Sequence, residues 1–284
     1  NKWKLIQEVI PDVNQWTTDF GSEVVVKDQF IMIGDRNARD EDGMVYAMRY
    51  SEKSKKWVKI DPISTNQIVG HGLFGHAIDI HNNRAIIGSK NGNIAIEYLY
   101  DELSNHWIAG KVFSPQKLQK SGRFGYSVKL TDSHLLIGYP GFQMEGEVQV
   151  FARQSNDWNL IQTLSGSSED KEQFFGSSLA LNGSHLVVGN FNGEKAFTFN
   201  LTNDNRFKKS ALLAPENLPD SKFGRSLAVG EESILVGATY GESAYLYKKQ
   251  NESWLISNVL SSSKGNHSQI GNLSPCSYGS ITTY

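Results

Sequence analysis

Apolar residues recur along this chain in short runs, and the runs themselves recur about every fifty residues. The first run of each unit alternates: Val24/Val26, Ile78/Ile80, Val128/Leu130, Leu179/Leu181 and Leu227/Val229 point one way while smaller or polar neighbours point the other. That period of two predicts a strand with one buried face. A polar turn follows, such as Asn82-Asn83, Asp132-Ser133 or Asn182-Gly183. The second run is continuous, as in Ile86-Ile87, Leu135-Leu136-Ile137, Leu186-Val187-Val188 and Ile234-Leu235-Val236, which suits a strand buried on both faces. A third run starts after Gly43, Gly146, Gly193 and Gly241, and a fourth opens on Trp3, Trp57, Trp107, Trp158, Phe207 and Trp254. No stretch carries a useful helical period.

Fixed spacings turn these runs into a repeat. Phe-Gly stands at residues 20, 74, 124, 175 and 223, and a second glycine follows each Phe-Gly glycine by 13 residues, at Gly34, Gly88, Gly138, Gly189 and Gly237. The opening aromatic of the fourth run precedes the next Phe-Gly by 16 or 17 residues. Four short strands at this period predict an all-β propeller of four-stranded antiparallel blades, one domain over residues 1–284. Sixteen residues after Trp254, Ile270-Gly271 falls in the Phe-Gly place of a degenerate sixth unit. The reading is six blades, or seven if the chain continues. The aromatic run occurs once more than Phe-Gly, so residues 3–10 are expected to complete the last blade and close the ring.

Composition narrows the function. With 28 basic and 30 acidic residues the net charge is −2, which argues against nucleic acid as a partner. No apolar run is long enough to span a bilayer. Cys276 is the single cysteine. Asn-x-Ser/Thr occurs at Asn182, Asn200, Asn251, Asn266 and Asn272, which points to an extracellular or cell-surface protein.

The Phe-Gly strand, the apolar-Gly strand and the Gly-x-x-aromatic strand resemble FG-GAP repeats, as in integrin α-subunit propellers; residues 122–151 are the nearest copy. The resemblance implies a propeller whose inter-strand loops form a ligand face. It departs in one respect: the turns at Asp28, Asn82, Asp132, Asn182 and Glu231 lack the oxygen-rich calcium loop. No calcium and no cofactor are therefore expected.

Regularly spaced aromatics read as packing, so function is sought where the units differ. The loops after the second strands supply Arg36, Arg39, Tyr139, Phe142, Phe191 and Tyr240 as candidate contacts, because Arg and Tyr dominate interface energies. Asp35, Asn37, Asp40 and Asp42 are the weak candidates for a divalent cation, although a solvated charged loop explains them better. The histidines, His76 among them, show no metal spacing, and there is no nucleophile elbow or phosphate loop. The expectation is thus an adhesion or binding module for a protein or glycan, not an enzyme. The alternative is a propeller hydrolase or lyase acting on polysaccharide, or the non-catalytic propeller of a larger enzyme.

Overall fold

A computed structural model describes residues 4–11, 19–65, 72–116, 122–141, 145–166, 174–215 and 220–261. These form five four-stranded antiparallel sheets, each a meander in chain order. The first blade is β1 (Phe20–Lys27), β2 (Phe30–Asp35), β3 (Met44–Ser51) and β4 (Lys56–Ser64), with a four-residue helix α1 (Ala38–Glu41) before β3. The second is β5 (Phe74–His81), β6 (Arg84–Ser89), β7 (Ile94–Asp101) and β8 (His106–Phe113). The third is β9 (Ser127–Leu130), β10 (His134–Tyr139), β11 (Glu147–Gln154) and β12 (Asp157–Ser165). The fourth is β13 (Ser178–Asn182), β14 (His185–Asn190), β15 (Lys195–Leu201) and β16 (Phe207–Leu213). The fifth is β17 (Phe223–Val229), β18 (Ser233–Ala238), β19 (Ser243–Gln250) and β20 (Ser253–Ser261). First strands of successive blades lie side by side, β1 on β5, β5 on β9, β9 on β13 and β13 on β17.

The repeat residues pack as the spacing requires. Phe74, Phe124, Phe175 and Phe223 are wholly buried, each edge-on to aromatics of its own blade. The glycine after each Phe sits at φ between 81° and 86°, and in three blades a register shift follows the Phe. That is a bulge only glycine enters without strain. Its carbonyl then lies against the second glycine of the preceding blade: a methyl at Gly34, Gly88, Gly138 or Gly189 would collide with the carbonyl of Gly75, Gly125, Gly176 or Gly224. Both glycines are thus fixed by blade-to-blade contact.

The blade count differs from the sequence expectation: five blades stand among the described residues where six were expected, and the residues assigned to the sixth, from Ile270 on, lie outside the described residues. The last blade that residues 3–10 were expected to complete therefore also lies outside them. Residues 4–11 carry no strand and lie beside the first blade: Gln7 Nε2 donates to the Trp57 carbonyl (3.1 Å), and Trp57 N donates to Gln7 Oε1 (3.2 Å). Trp3 lies outside the described residues.

Candidate functional site

A meander places the start of strand one, the end of strand two, the start of strand three and the end of strand four at one end of every blade. The β2–β3 type loops and the segments leading into Phe therefore share a face, and the two-residue turns share the opposite one.

On the loop face, side chains flanking Phe-Gly form a belt that alternates cations and rings. In the second and third blades His76 packs on Tyr126 with ring centroids 4.6 Å apart, and Lys90 Nζ stands 5.5 Å over Tyr126. Arg123, just before Phe124, lies 6.0 Å over Phe174 of the fourth blade. Phe174 packs on Phe191 at 5.0 Å, and Arg225 of the fifth blade lies 5.4 Å over Phe191. Lys222 sits 5.9 Å over Tyr240 and reaches Asn192 Oδ1 at 3.3 Å, joining the fourth and fifth blades. Arg36 of the first blade is half-buried and pairs with Asp19.

Backbone geometry aims these groups. The residue before Phe is left-handed in four blades: Leu73, Arg123, Phe174 and Lys222 have φ between 52° and 68°. No glycine stands at any of them, so each blade carries a conformation that disfavours a side chain, of order 1 kcal/mol.

The electrostatics at His76 are one-sided. Burial lowers its pKa well below the ordinary histidine value, and the positive charges of Lys90, Arg36 and Arg123 lower it further. The imidazole is therefore neutral at neutral pH. Across the first blade, burial raises the Asp35 carboxyl, helped by repulsion from Asp19 and opposed by the backbone N–H groups of Asp19, Ala38 and Asn37.

The sequence-derived candidates fall into three groups. Arg36, Phe191 and Tyr240 lie on this face in or beside the belt, Tyr240 being 65% exposed. Arg39 is exposed on α1, with φ of 57°. Tyr139 is buried, packed edge-on against Phe124 at 5.7 Å. Phe142 lies outside the described residues. Of the cation candidates, Asp35 is buried, Asn37 and Asp42 are half-buried, and the Asp40 side chain lies outside the described set. Among the described residues no group of three His, Cys, Asp or Glu side chains is arranged to hold a metal.

Sequence reasoning passed over His76, Arg123, Tyr126, Phe174 and Arg225. They adjoin an invariant packing motif and were absorbed into it. The signal was variation in the residues on either side of a constant Phe-Gly: Ser22, His76, Tyr126, Ser177 and Arg225 after it, for example.

The opposite face holds a cavity of about 600 Å³ at the turns of the first three blades. Its polar groups pair mostly with one another. His81 Nε2 lies 3.1 Å from Asp132 Oδ1, Asn82 Nδ2 donates to Asp132 Oδ1 at 3.0 Å, and Asn82 N donates to Asp28 Oδ2 at 3.2 Å. His81 holds the Asp132 carboxyl below its usual range. This network ties three turns together.

No protein-family model matches the chain, and no curated protein matches it in sequence. Solved structures with a similar fold include a putative 6-phosphogluconolactonase from Bacteroides uniformis (9% identity over 85% of each chain, TM-score 0.52). A protein from Lactobacillus plantarum is similar at 10% identity over 85% of this chain and 71% of that one, with a TM-score of 0.64. The periplasmic gluconolactonase of Pseudomonas aeruginosa is similar at 14% identity over 84% of each chain, with a TM-score of 0.51. At these identities the likeness shows the fold alone: a β-propeller. It also corrects the family reading. The neighbours with a named activity are lactonase-type propellers, not integrin-type FG-GAP propellers, so that resemblance is withdrawn, and with it the adhesion module it supported. The physical reason lies in the packing described above. Phe-Gly and its partner glycine report how one blade meets the next, and any propeller with this contact can carry them.

Proposed function

We propose that this propeller is an enzyme domain acting on a small anionic sugar derivative of the sugar-lactone class, at the loop-face belt. The observation that carries the reading is the run of cations and rings from the second to the fifth blade, with the neutral imidazole of His76 beside it. Opening a sugar lactone with water puts negative charge first on the carbonyl oxygen and then on a carboxylate. Cations held in fixed positions on one face of the protein stabilise both. Flat rings beside them suit the C–H faces of a sugar. His76 is wholly buried and touches no substrate in this scheme; it positions Tyr126, over which Lys90 stands. The lactonases among the fold neighbours support the choice of substrate class. A location outside the cytoplasm is part of the proposal, supported by the exposed sequon asparagines Asn182 and Asn251 and by the periplasmic neighbour.

The test is acid release from glucono-δ-lactone and its 6-phosphate, followed at constant pH against the spontaneous rate. Hydrolysis above background, reduced tenfold or more by Lys90→Ala with Arg123→Ala, is the expected result, since losing a charge-assisted hydrogen bond costs roughly 1.5–3 kcal/mol. A rate equal to the spontaneous one for both lactones would reject the proposal.

A further inference from the structure

We infer that the cavity on the turn face is a binding site for a small zwitterion, of which a free α-amino acid is the simplest case. It lies on the face opposite the belt and does not depend on the proposed activity.

The cavity is built and held before any ligand enters. Its volume of about 600 Å³ falls within the range of roughly 300–1,000 Å³ usual for small-molecule sites. Three turns form the rim, and Asn82 joins them: its N donates to Asp28 Oδ2 and its Nδ2 to Asp132 Oδ1. The walls are fixed as well. Phe30 and Tyr100 are buried and packed edge-on, with centroids 4.7 Å apart. Gln29 Oε1 accepts from Arg49 Nε at 3.1 Å. Glu97 holds Arg84, accepting from Arg84 Nη1 at 2.6 Å and from Trp158 Nε1 at 2.9 Å. Groups already in position lose little freedom when a ligand binds.

The two signs of charge on the lining differ in exposure and in pairing. Asp28 and Asp132 are exposed, whereas Arg84 and Arg153 are half-buried. Arg84 has its carboxylate in Glu97. Arg153 has none: its Nε is buried with no hydrogen-bond partner among the described residues. Its charge still reaches Asp132, whose carboxyl is held below the usual range by His81 first, then by Asn82 and Arg153. A guanidinium and a carboxylate therefore line one cavity as neighbours, yet no ion pair joins them among the described residues.

That arrangement selects against single charges. An anion alone would meet Asp28 and Asp132, and a cation alone would meet Arg153. A molecule carrying both charges a few atoms apart satisfies each wall group with its opposite. Its carboxylate accepts from the guanidinium, and its ammonium donates to the carboxylates. Leu99, 38% exposed on the same lining, offers an apolar contact to the rest of the molecule.

Calorimetric titration of the full chain with alanine, propionate and ethylamine tests this, because the last two each keep one of alanine's charges. Alanine should bind about tenfold or more tighter than either. Arg153→Gln should weaken alanine by a similar factor and erase its advantage over ethylamine. Asp28→Asn with Asp132→Asn should erase its advantage over propionate. Alanine binding should survive Lys90→Ala with Arg123→Ala, which alters only the other face. If a charge variant does not fold, Asn83→Trp reads the same site: Asn83 is exposed on the lining, and an indole there should block entry. No binding of alanine to the native chain at millimolar concentration would overturn the inference. So would propionate or ethylamine binding as tightly as alanine, or alanine binding unchanged by Arg153→Gln or Asn83→Trp.

Discussion

His76 shows how a single residue ties packing to charge. Its ring is wholly buried against Tyr126 in positive surroundings, which hold its pKa well below the ordinary histidine value, whereas an unfolded histidine protonates at about 6.5. The unfolded state then binds the extra proton, and stability falls as pH drops through 6.5. Between pH 7.5 and 5.5 this site alone contributes a loss of at most about 1.4 kcal/mol, the limit for an imidazole that takes up no proton in the fold. Urea unfolding at the two pH values, for the native chain and for His76→Asn, checks it: the native chain should lose more stability than the variant, by up to that amount. Equal losses would show that His76 titrates normally. The left-handed residues before Phe belong to the same scale. Leu73, Arg123, Phe174 and Lys222 were illegible in the sequence because nothing local requires φ above zero there. The tertiary contact with the preceding blade imposes it.

At the level of elements, the strands were legible because burial on one face or both writes a period into the chain. Arg84–Ser89, His134–Tyr139 and their equivalents read as buried runs and are buried. The fourth strands were legible only through their opening aromatic, since β4, β8, β12 and β16 are mostly exposed between two packing residues. The side-chain clamp between outer strands left no trace in the hydrophobic pattern, although Gln7 and Gln162 share a near-duplicate stretch. Removing it should matter. Gln162→Ala takes both partners from the Phe207 backbone, and a loss of about 1–3 kcal/mol is expected. Denaturant midpoints would measure this, and a change below a few tenths of a kcal/mol would mean water replaces the amide at no cost.

For the whole molecule, the net charge of −2 conceals the distribution that matters. Lys90, Arg123 and the pair Lys222 and Arg225 come from three separate stretches of sequence, and the meander carries them to one face. Sequence reasoning pointed to the variable loops and named Arg36, Phe191 and Tyr240, which the meander places on that face. It could not see that the residues beside Phe-Gly join them, because only the ring of blades makes neighbours of positions fifty residues apart. The proposed function puts an anionic sugar derivative at this belt, not in the cavity on the turn face. Calorimetric titration with gluconate, the acid that lactone opening yields, tests it most directly when run on the native chain, on Lys90→Ala with Arg123→Ala, and on Asp132→Asn. Binding should weaken with salt, fall at least tenfold in the belt variant and be unchanged by Asp132→Asn. Binding untouched in the belt variant, or lost with Asp132→Asn, would contradict it.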